Sequence, residues 1–229
     1  MRVVCIVPAA GLGARLKSGA DKPFVTLGKK PILAHTLGAL VKIPFIDRII
    51  VSVSSRNIKK AQKLLKRYKF EKKCSIVKGG KRRTYSVQNA LLKAGDADFV
   101  LIHDGARPFI TEGVVKKVLS ASKKYGAAIC AMPVKQTIKQ STDNFFIKST
   151  PNRAFLQNAQ TPQGFRKDLI VKAYKRFGKM IATDDASLVE KLKIKVKIVK
   201  GSSRNIKITT PEDLALAKVL ASRKKVVRL

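Results

Sequence analysis

A glycine-containing stretch directly after the first apolar run sets the strongest limit on what this chain can fold into. The apolar run covers residues 3–7, has the composition of a buried strand, and is followed by PAAGLGAR at residues 8–15. Because glycine lacks a Cβ atom, backbone N–H groups in such a turn can approach a bound anion closely. Arg15 and Lys22 place two cations beside the turn. The stretch therefore predicts a buried strand that leads into a loop for a polyphosphate.

Two common phosphate-binding loops do not match this stretch. A dinucleotide-binding fingerprint needs a third glycine, where the chain has Leu16, and an acid at the end of the second strand, where it has Arg56. A Walker loop needs Gly-Lys-Ser/Thr, and Gly19 is followed by Ala20. The stretch instead resembles the signature of nucleotidyltransferases that join a nucleoside triphosphate to a sugar or polyol phosphate, in which PAAGxGxR is followed by Lys-Pro.

Strands and helices alternate along the rest of the chain. Runs at 48–53, 75–77, 99–102, 127–133, 196–199 and 206–208 have strand composition, and helical patterns occupy 31–41, 57–68, 112–125, 166–177 and the segment from 211 onward, with short helices ending near 92 and 190. Such alternation predicts parallel pairing with right-handed crossovers. We therefore expect one α/β domain over residues 1–229 with a Rossmann-like nucleotidyltransferase fold, in which helices flank a mostly parallel twisted sheet.

Residues 134–158 depart from this alternation. Two short extended runs, 134–139 and 145–148, flank the turn-forming sequence STDN at 141–144. A two-stranded ribbon cannot bury both of its faces alone, so it needs a surface outside its own hairpin. We expect a protruding β-arm at about 134–158 that packs on a second copy of the chain in a homodimer.

The chain carries 49 Lys and Arg residues against 14 Asp and Glu residues, and the net charge of +35 favours a rival hypothesis of RNA binding. The excess is spread over many elements, aromatic residues make up only 6% of the chain, and Trp is absent. A nucleic-acid groove more often concentrates charge and interleaves aromatic side chains. We therefore expect a lysine-rich solvated surface with no specific nucleic-acid partner, and non-specific RNA binding at low salt.

Cysteines and hydropathy bear on the compartment. Cys5, Cys74 and Cys130 are odd in number, far apart and set in or beside apolar runs, as expected of buried thiols in a reducing compartment. The longest apolar stretch is interrupted by Lys42 and Asp47, so we expect no membrane span. Together these features predict a cytoplasmic protein.

Two further motifs are placed for ligand binding. A Gly-Gly pair at 79–80 precedes a helix start, and HDGARP at 103–108 follows the buried run 99–102. Ligands of parallel sheets sit at the carboxyl ends of the strands, so Asp104 and Arg107 should face the same crevice as the first loop. An acid in that crevice is a candidate to hold a metal ion or a substrate hydroxyl.

The motifs taken together resemble one family. Besides residues 8–15, 22–23, 79–87 and 103–108, they comprise QTPQ at 160–163, TDDAS at 183–187 and NIKIT at 205–209. The series spans nearly the whole chain in the order found in the 2-C-methyl-D-erythritol 4-phosphate cytidylyltransferases of the non-mevalonate isoprenoid pathway. The resemblance implies that CTP and 2-C-methyl-D-erythritol 4-phosphate react, with Mg²⁺ or another divalent cation, to give the CDP-linked alcohol and pyrophosphate. It also implies a homodimer whose arms embrace.

The implied reaction needs no general base. Its nucleophile is a phosphate monoester whose second pKa is about 6, so the group is mostly dianionic at pH 7. This phosphate attacks the α-phosphate of CTP in line. The protein must therefore neutralise the charge that develops on phosphorus and on the leaving pyrophosphate.

The resemblance assigns roles residue by residue. Arg15 and Lys22 match the residues that neutralise developing charge, and Arg153 and Lys207 match those that hold the incoming phosphate. The residues implied to bind CTP are Pro8, Ala9, Ala10, Gly11, Leu12, Gly13, Gly79, Gly80, Ser86 and Asp104. The residues implied to bind the acceptor are Asp104, Arg107, Thr137, Arg153, Thr161 and Lys207, of which Thr137 and Arg153 reach the partner's pocket. Mg²⁺ is expected mainly on the CTP phosphates, with Asp104 as the candidate protein ligand.

Two positions depart from the family pattern. Lys81 stands beside the nucleotide where an acidic or small residue is common, which changes the surroundings of the base and ribose. Arg204 stands where an acid often precedes the Asn-Ile-Lys run, which changes the surroundings of Lys207. Ribitol 5-phosphate cytidylyltransferases share nearly the same nucleotide motifs, so ribitol 5-phosphate stays open as the alternative acceptor.

Overall fold

A seven-stranded mixed sheet forms the middle layer of this computed structural model, which describes residues 1–11 and 21–222. The strands of the described ranges are β1 (Val3–Pro8), β2 (Thr26–Leu27), β3 (Lys30–Pro31), β4 (Arg48–Val53), β5 (Cys74–Lys78), β6 (Phe99–Ile102), β7 (Ala127–Pro133), β8 (Gln140–Ser141), β9 (Ile147–Ser149), β10 (Gln157–Arg166) and β11 (Lys197–Lys200). The α-helices are α1 (Ile32–Leu40), α2 (Ile58–Arg67), α3 (Arg83–Leu91), α4 (Glu112–Tyr125), α5 (Lys167–Phe177), α6 (Ala186–Glu190) and α7 (Pro211–Ser222). None of these helices is long and apolar enough to cross a membrane.

The strands follow the order β11-β7-β10-β6-β1-β4-β5 across the large sheet. Strand β1 pairs in parallel with β4 and β6, so that Ile6 lies opposite Ile50 on one side and Ile102 on the other. The pairs β4–β5 and β7–β11 are also parallel. This mostly parallel sheet with helices on both faces confirms the predicted Rossmann-like α/β fold.

Helices cover both faces of the sheet, and the side chains of β1 alternate between the two layers. Val3, Cys5 and Val7 pack with residues of α1, α2 and α4. Val4 and Ile6 pack on the other side with residues of α3, α5 and α6. Because both faces are buried, the strand reads as a continuous apolar run rather than an alternating one. Burial on both faces fixes where the strand ends, and hence where the loop after Pro8 begins.

Two strand predictions were wrong, and the longest strand of the large sheet was missed. Residues 206–208, predicted as a strand, form none; Ile208 is instead buried in a small cluster with Leu27 and Ala217. Strand β10 was not predicted, because its sequence QNAQTPQGFR is polar and contains a proline. It lies antiparallel between β6 and β7, and its pairing with β7 shifts register between Ala159 and Gln163. The second wrong run, 134–139, contains no strand either.

The ribbon of the predicted arm is shorter than expected. Its paired residues are confined to β8 and β9, which run antiparallel. Three phenyl side chains on the arm are mostly exposed, Phe145 at 91%, Phe146 at 74% and Phe155 at 83% of their surfaces. A ribbon of this size with apolar side chains in solvent lacks a surface of its own chain to pack on.

Side-chain hydrogen bonds close the N-termini of two helices, of which α7 begins at residue 211 as predicted. At α7, Asp213 N–H donates to Thr210 Oγ1 at 3.3 Å, and Thr210 N–H donates back to Asp213 Oδ2 at 3.0 Å. Ahead of α6, Asp184 Oδ1 accepts from Ser187 N–H at 3.1 Å. These side chains satisfy N–H groups that have no partner inside the helix.

A glycine of β10 provides a test of how closely α4 packs on the sheet. A Cβ atom on Gly164 would lie 2.5 Å from Ser122 Oγ and 2.9 Å from Val118 Cγ1. We expect Gly164→Ala to lower the free energy of unfolding by roughly 1–3 kcal/mol, since an overpacked core must shift. The matched control is Gly113→Ala on α4, where a Cβ atom would meet nothing within 4 Å. It should leave stability unchanged or raise it by up to ~1 kcal/mol. Equal urea midpoints for the two variants would contradict this packing.

Candidate active site

A cavity of about 360 Å³ opens at the carboxyl ends of β1 and β6. It is lined by residues 8–11 after β1, 80–83 and Ser86 at the start of α3, 104–106 after β6, and by Lys22, Pro23, Lys207 and Thr209. Loops after parallel strands meet at one edge of a sheet, which is where ligands of such folds bind. The predicted crevice is therefore present, and it joins motifs that lie far apart in the sequence.

A second cavity of about 450 Å³ adjoins the first. Arg83, Asp104 and Lys207 line both cavities. The other walls come from Arg107, from residues 159–163 of β10 without Pro162, and from Thr183, Asp184, Ser187 and Glu190 around α6. The irregular register of β10 lies in this wall. The two cavities thus share one charged partition, formed by Arg83, Asp104 and Lys207.

Close packing leaves no room for a side chain at either position of the Gly-Gly pair at 79–80. A Cβ atom on Gly79 would lie 2.7 Å from Ala10 Cβ and 2.9 Å from Ser86 Oγ, and one on Gly80 would lie 2.3 Å from Tyr85 Cβ. Gly80 N–H donates to Ser86 Oγ at 3.1 Å. Ser86 therefore closes the turn and lines the first cavity at the same time, and Gly79 stands behind it.

Asp104 is the centre of the partition. Its Oδ2 lies 2.9 Å from Lys207 Nζ and 3.5 Å from Arg107 Nε, and its Oδ1 lies 3.4 Å from Arg83 Nε. Burial opposes ionisation of the carboxyl, but the charges of Arg83, Lys207 and Arg107 together hold its pKa well below the usual range. Asp104 is therefore an anion at every physiological pH, and the three cations around it carry an excess of positive charge.

Arg83 and Asp185 are site residues that the sequence analysis did not identify. Arg83 Nη2 donates to Asp185 Oδ2 at 2.7 Å, and Tyr174 Oη donates to Asp185 Oδ1 at 2.6 Å. Gln163 Oε1 accepts from Asp185 N–H at 3.0 Å. Arg83 lies within the motif at 79–87 and Asp185 within TDDAS, so the motifs gave a signal, but not the pairing across 102 residues.

His103 fixes the orientation of Thr161. Asp104 N–H donates to Thr161 Oγ1 at 3.0 Å, which in turn lies 3.0 Å from His103 Nδ1. His103 Nε2 lies 3.1 Å from the carbonyl oxygen of Arg107, which can only accept, so the ring proton is on Nε2. Burial lowers the pKa of His103 to about 4, and the ring is neutral at pH 7. Thr161 must then donate to Nδ1 while its oxygen accepts from Asp104 N–H, so both contacts fix the direction of the hydroxyl.

The donors at the partition fit a metal ion poorly. Among the described residues no group of three or more His, Cys, Asp and Glu side chains could hold one. Asp104 is the only carboxylate that lines the first cavity in the described ranges, and both of its oxygens face cations. A divalent cation at this site would therefore have to be held mainly by phosphate oxygens of a molecule bound in the cavity.

The structure brings together most of the predicted site residues. Those that line the first cavity are Pro8, Ala9, Ala10, Gly11, Lys22, Gly80, Ser86, Asp104 and Lys207, and those that line the second are Asp104, Arg107, Thr161 and Lys207. Leu12, Gly13 and Arg15 lie outside the described residues. Thr137 and Arg153 are exposed and line neither cavity of the described chain, and Arg153 Nη1 donates to the carbonyl of Lys135 at 2.8 Å.

The two positions that depart from the family pattern have different surroundings. Lys81 lines the first cavity and not the second, so it lies on one side of the partition. Arg204 is exposed, and its Nη2 donates to the carbonyl of Leu220 in α7 at 3.4 Å. The carbonyls in the last turn of a helix favour a cation, so Arg204 has a structural role there.

The chain is similar over nearly its whole length to proteins of one family. The family model described as "IspD: 2-C-methyl-D-erythritol 4-phosphate cytidylyltransferase" matches residues 3–223. The 2-C-methyl-D-erythritol 4-phosphate cytidylyltransferase of Dehalococcoides mccartyi is 46% identical, over 97% of this chain and 97% of the relative. That of Bacillus anthracis is 42% identical, over 93% of this chain and 94% of the relative. The matches therefore include every motif of the two cavities.

Solved structures of the same family share the fold. The 4-diphosphocytidyl-2C-methyl-D-erythritol synthase of Anaerococcus prevotii superposes with a TM-score of 0.86 at 34% identity, covering 97% of this chain and 96% of that one. The 2-C-methyl-D-erythritol 4-phosphate cytidylyltransferase of Thermus thermophilus gives a TM-score of 0.77 at 31% identity, covering 97% of this chain and 100% of that one. The similarity thus covers the sheet, the helices and the partition together.

The buried histidine predicts a pH dependence of stability. Unfolded His103 takes up a proton below its ordinary pKa of about 6.5, whereas the folded ring does so only near pH 4. The free energy of unfolding therefore falls as the pH drops through this window. Replacing the ring in His103→Gln removes this contribution, so the stability difference between wild type and variant should shrink by up to ~1.4 kcal/mol per pH unit between pH 6.5 and 4. Urea unfolding at several pH values measures it, and a constant difference would contradict the neutral buried ring.

Proposed function

This chain belongs to the 2-C-methyl-D-erythritol 4-phosphate cytidylyltransferase family, and we propose how its two cavities carry out the reaction of that family. The chain joins CTP and 2-C-methyl-D-erythritol 4-phosphate to give 4-diphosphocytidyl-2-C-methyl-D-erythritol and pyrophosphate. The family, the fold class and the activity predicted from the sequence are thereby confirmed. The assignment of individual residues below is our proposal.

The shared partition is the observation that carries the assignment. In our proposal CTP occupies the first cavity, beside the glycine-rich turns and Lys22, and the polyol phosphate occupies the second. Lys207 lines both cavities, and its side chain is 39% exposed beside the buried Asp104. A phosphate bound there would lie next to the α-phosphate of the nucleotide. Proximity of the two reacting groups accounts for much of such a rate enhancement.

The chemistry then follows from charge. An oxygen of the acceptor phosphate attacks the α-phosphorus of CTP, and the bond from phosphorus to the bridging oxygen of pyrophosphate breaks. Lys207 and Arg107 hold the incoming dianion against the repulsion of the triphosphate. Lys22 and Arg15 neutralise charge on the α-phosphate and the leaving pyrophosphate, as the family resemblance implies. The neutral His103 takes no proton in this scheme, because the nucleophile is already ionised.

We propose that a divalent cation, such as Mg²⁺, enters with CTP. The crowding of Asp104 by cations argues against its role as the main metal ligand. The triphosphate oxygens supply hard ligands of the kind that Mg²⁺ prefers. When bound, the ion would offset part of the negative charge of the triphosphate, and Lys22 and Lys207 act beside it.

The arm suggests a homodimer with composite sites. Exposed phenyl side chains on the arm need a partner surface, and the arm also carries Thr137 and Arg153. We propose that these two residues reach the acceptor cavity of the partner subunit. We also propose a cytoplasmic location, because Cys74 and Cys130 are buried thiols whose pKa burial raises to about 12, which suits a reducing compartment. Specific nucleic-acid binding is not part of this proposal.

Turnover with two acceptors tests the function. With CTP and Mg²⁺ we expect pyrophosphate release with 2-C-methyl-D-erythritol 4-phosphate to exceed that with ribitol 5-phosphate at equal concentration, and ATP or GTP in place of CTP to give little product. Coupled pyrophosphate detection under the same conditions measures all four reactions. Faster turnover of ribitol 5-phosphate would transfer the assignment to that acceptor, and no turnover with either would favour RNA binding.

Subunit mixing tests the composite site. If each site takes Lys22 from one chain and Arg153 from the other, Lys22→Ala and Arg153→Ala homodimers should both be nearly inactive. A mixed dimer then has one intact site and one site that lacks both residues. Unfolding and refolding the two variants together should restore roughly a quarter of wild-type activity by random pairing.

A double variant gives the matched control. When a chain carrying both Lys22→Ala and Arg153→Ala is refolded with an equal amount of wild type, only wild-type homodimers are active, and roughly a quarter of the activity should remain. If Arg153 instead acts in its own chain, this mixture should keep about half, and the mixed single variants should stay inactive. That second pair of results would overturn the composite site.

A further inference from the structure

Arg83 is the cation of the partition that faces two carboxylates. Arg83 extends from the first turn of α3 and lies between two carboxylates, with Nη2 2.7 Å from Asp185 Oδ2 and Nε 3.4 Å from Asp104 Oδ1. It lines both cavities. The guanidinium of Arg83 thus links the turn after β6, which carries Asp104, to the start of α6, next to Asp185.

The guanidinium of Arg83 is held in place by its ion pair with Asp185. Asp185 is fully buried, and Tyr174 Oη and Arg83 Nη2 donate to its two oxygens. Burial raises the pKa of Tyr174, so its hydroxyl remains a donor. Burial also opposes the charge of Arg83, but Asp185 and then Asp104 raise its pKa above the usual value. A buried carboxylate without a partner is costly, so this anchor holds the guanidinium in place.

The ion pair between Arg83 and Asp104 determines how strongly Asp104 attracts the other cations around it. Three cations share this one carboxylate and line the acceptor cavity, and one of them, Arg83, is also paired with Asp185. A carboxylate that is paired with a fixed guanidinium attracts the other cations less. Without Arg83, Lys207 and Arg107 would have to neutralise Asp104 themselves, and an incoming phosphate would compete with it.

We propose that Arg83 is a positioning residue that holds Asp104 in an ion pair and so leaves Lys207 and Arg107 to bind the phosphate of the acceptor. The inference rests on the proposed function, because it takes the second cavity as the acceptor site. It goes beyond that function in giving the anchor Tyr174–Asp185–Arg83 a part in acceptor binding.

Two variants separate this role from a purely structural one. Arg83→Gln leaves Asp185 buried without its cation, so it should lower the melting temperature and raise the KM for 2-C-methyl-D-erythritol 4-phosphate by about tenfold or more. Asp185→Asn in the same chain removes the unpaired charge, and its amide can donate to the new glutamine. The double variant should therefore regain most of the melting temperature while its KM stays high. The KM for CTP should change less in both.

The control is a matched ion pair outside the cavities. Arg166 donates to Asp168 at 2.6 and 2.7 Å on the surface, so Arg166→Gln with Asp168→Asn should leave both KM values unchanged. If the Arg83 and Asp185 double variant recovers the wild-type KM along with its stability, Arg83 is only structural and the inference fails. The proposed function fails on a separate result: a wild-type chain that turns over neither acceptor would overturn it, whatever the Arg83 variants show.

Discussion

One buried carboxylate holds together the parts of the chain that form the two cavities. Asp104 stands at the end of β6, and its cations come from α3, from the turn after β6 and from the segment before α7. Two unit charges 4 Å apart attract by about 4 kcal/mol at an effective dielectric constant of 20, before the cost of desolvation is counted. Without this anion, three cations would face one another across the partition. Together with Asp185, two carboxylates face these three cations, so the cluster keeps one positive charge in excess for negatively charged substrates.

The catalytic demand explains why so few acid–base groups are present. The nucleophile arrives ionised, so the site needs fixed cations and close backbone contacts rather than a proton acceptor. His103, which sequence alone could suggest as a base, is neutral and buried, and both of its ring nitrogens are used in hydrogen bonds. The contribution of His103 is to orient the hydroxyl group of Thr161. Electrostatics and positioning therefore describe the site more completely than acid–base chemistry does.

The sequence predicted the parts of the fold and site that depend on local patterns. The apolar run of β1, the glycine turns and the helix that begins at 211 each have a local sequence pattern, and Asp104 and Lys207 were predicted from motifs. Strand β10 was missed because tertiary pairing with two neighbours overrides its polar sequence. The Arg83–Asp185 pair was missed for another reason. It is a contact between residues 102 positions apart, which no periodicity encodes.

Strand β10 also limits how this protein can change over time. Its first residues leave the arm at Gln157, its middle carries Thr161 in the acceptor wall, and its last residues pair with β6 in the core. Side chains along a strand alternate between faces, so one residue inserted between the arm and Thr161 would turn the side chains of residues 157–160 over against β7, while pairing with β6 and β7 keeps residues 163–166 in register. The tip of the arm, at 142–146, has no such link to the cavity. The length of the base of the arm is therefore constrained by the sheet and the cavity wall, and that of the tip, with its exposed Phe145 and Phe146, by the surface on which the arm packs.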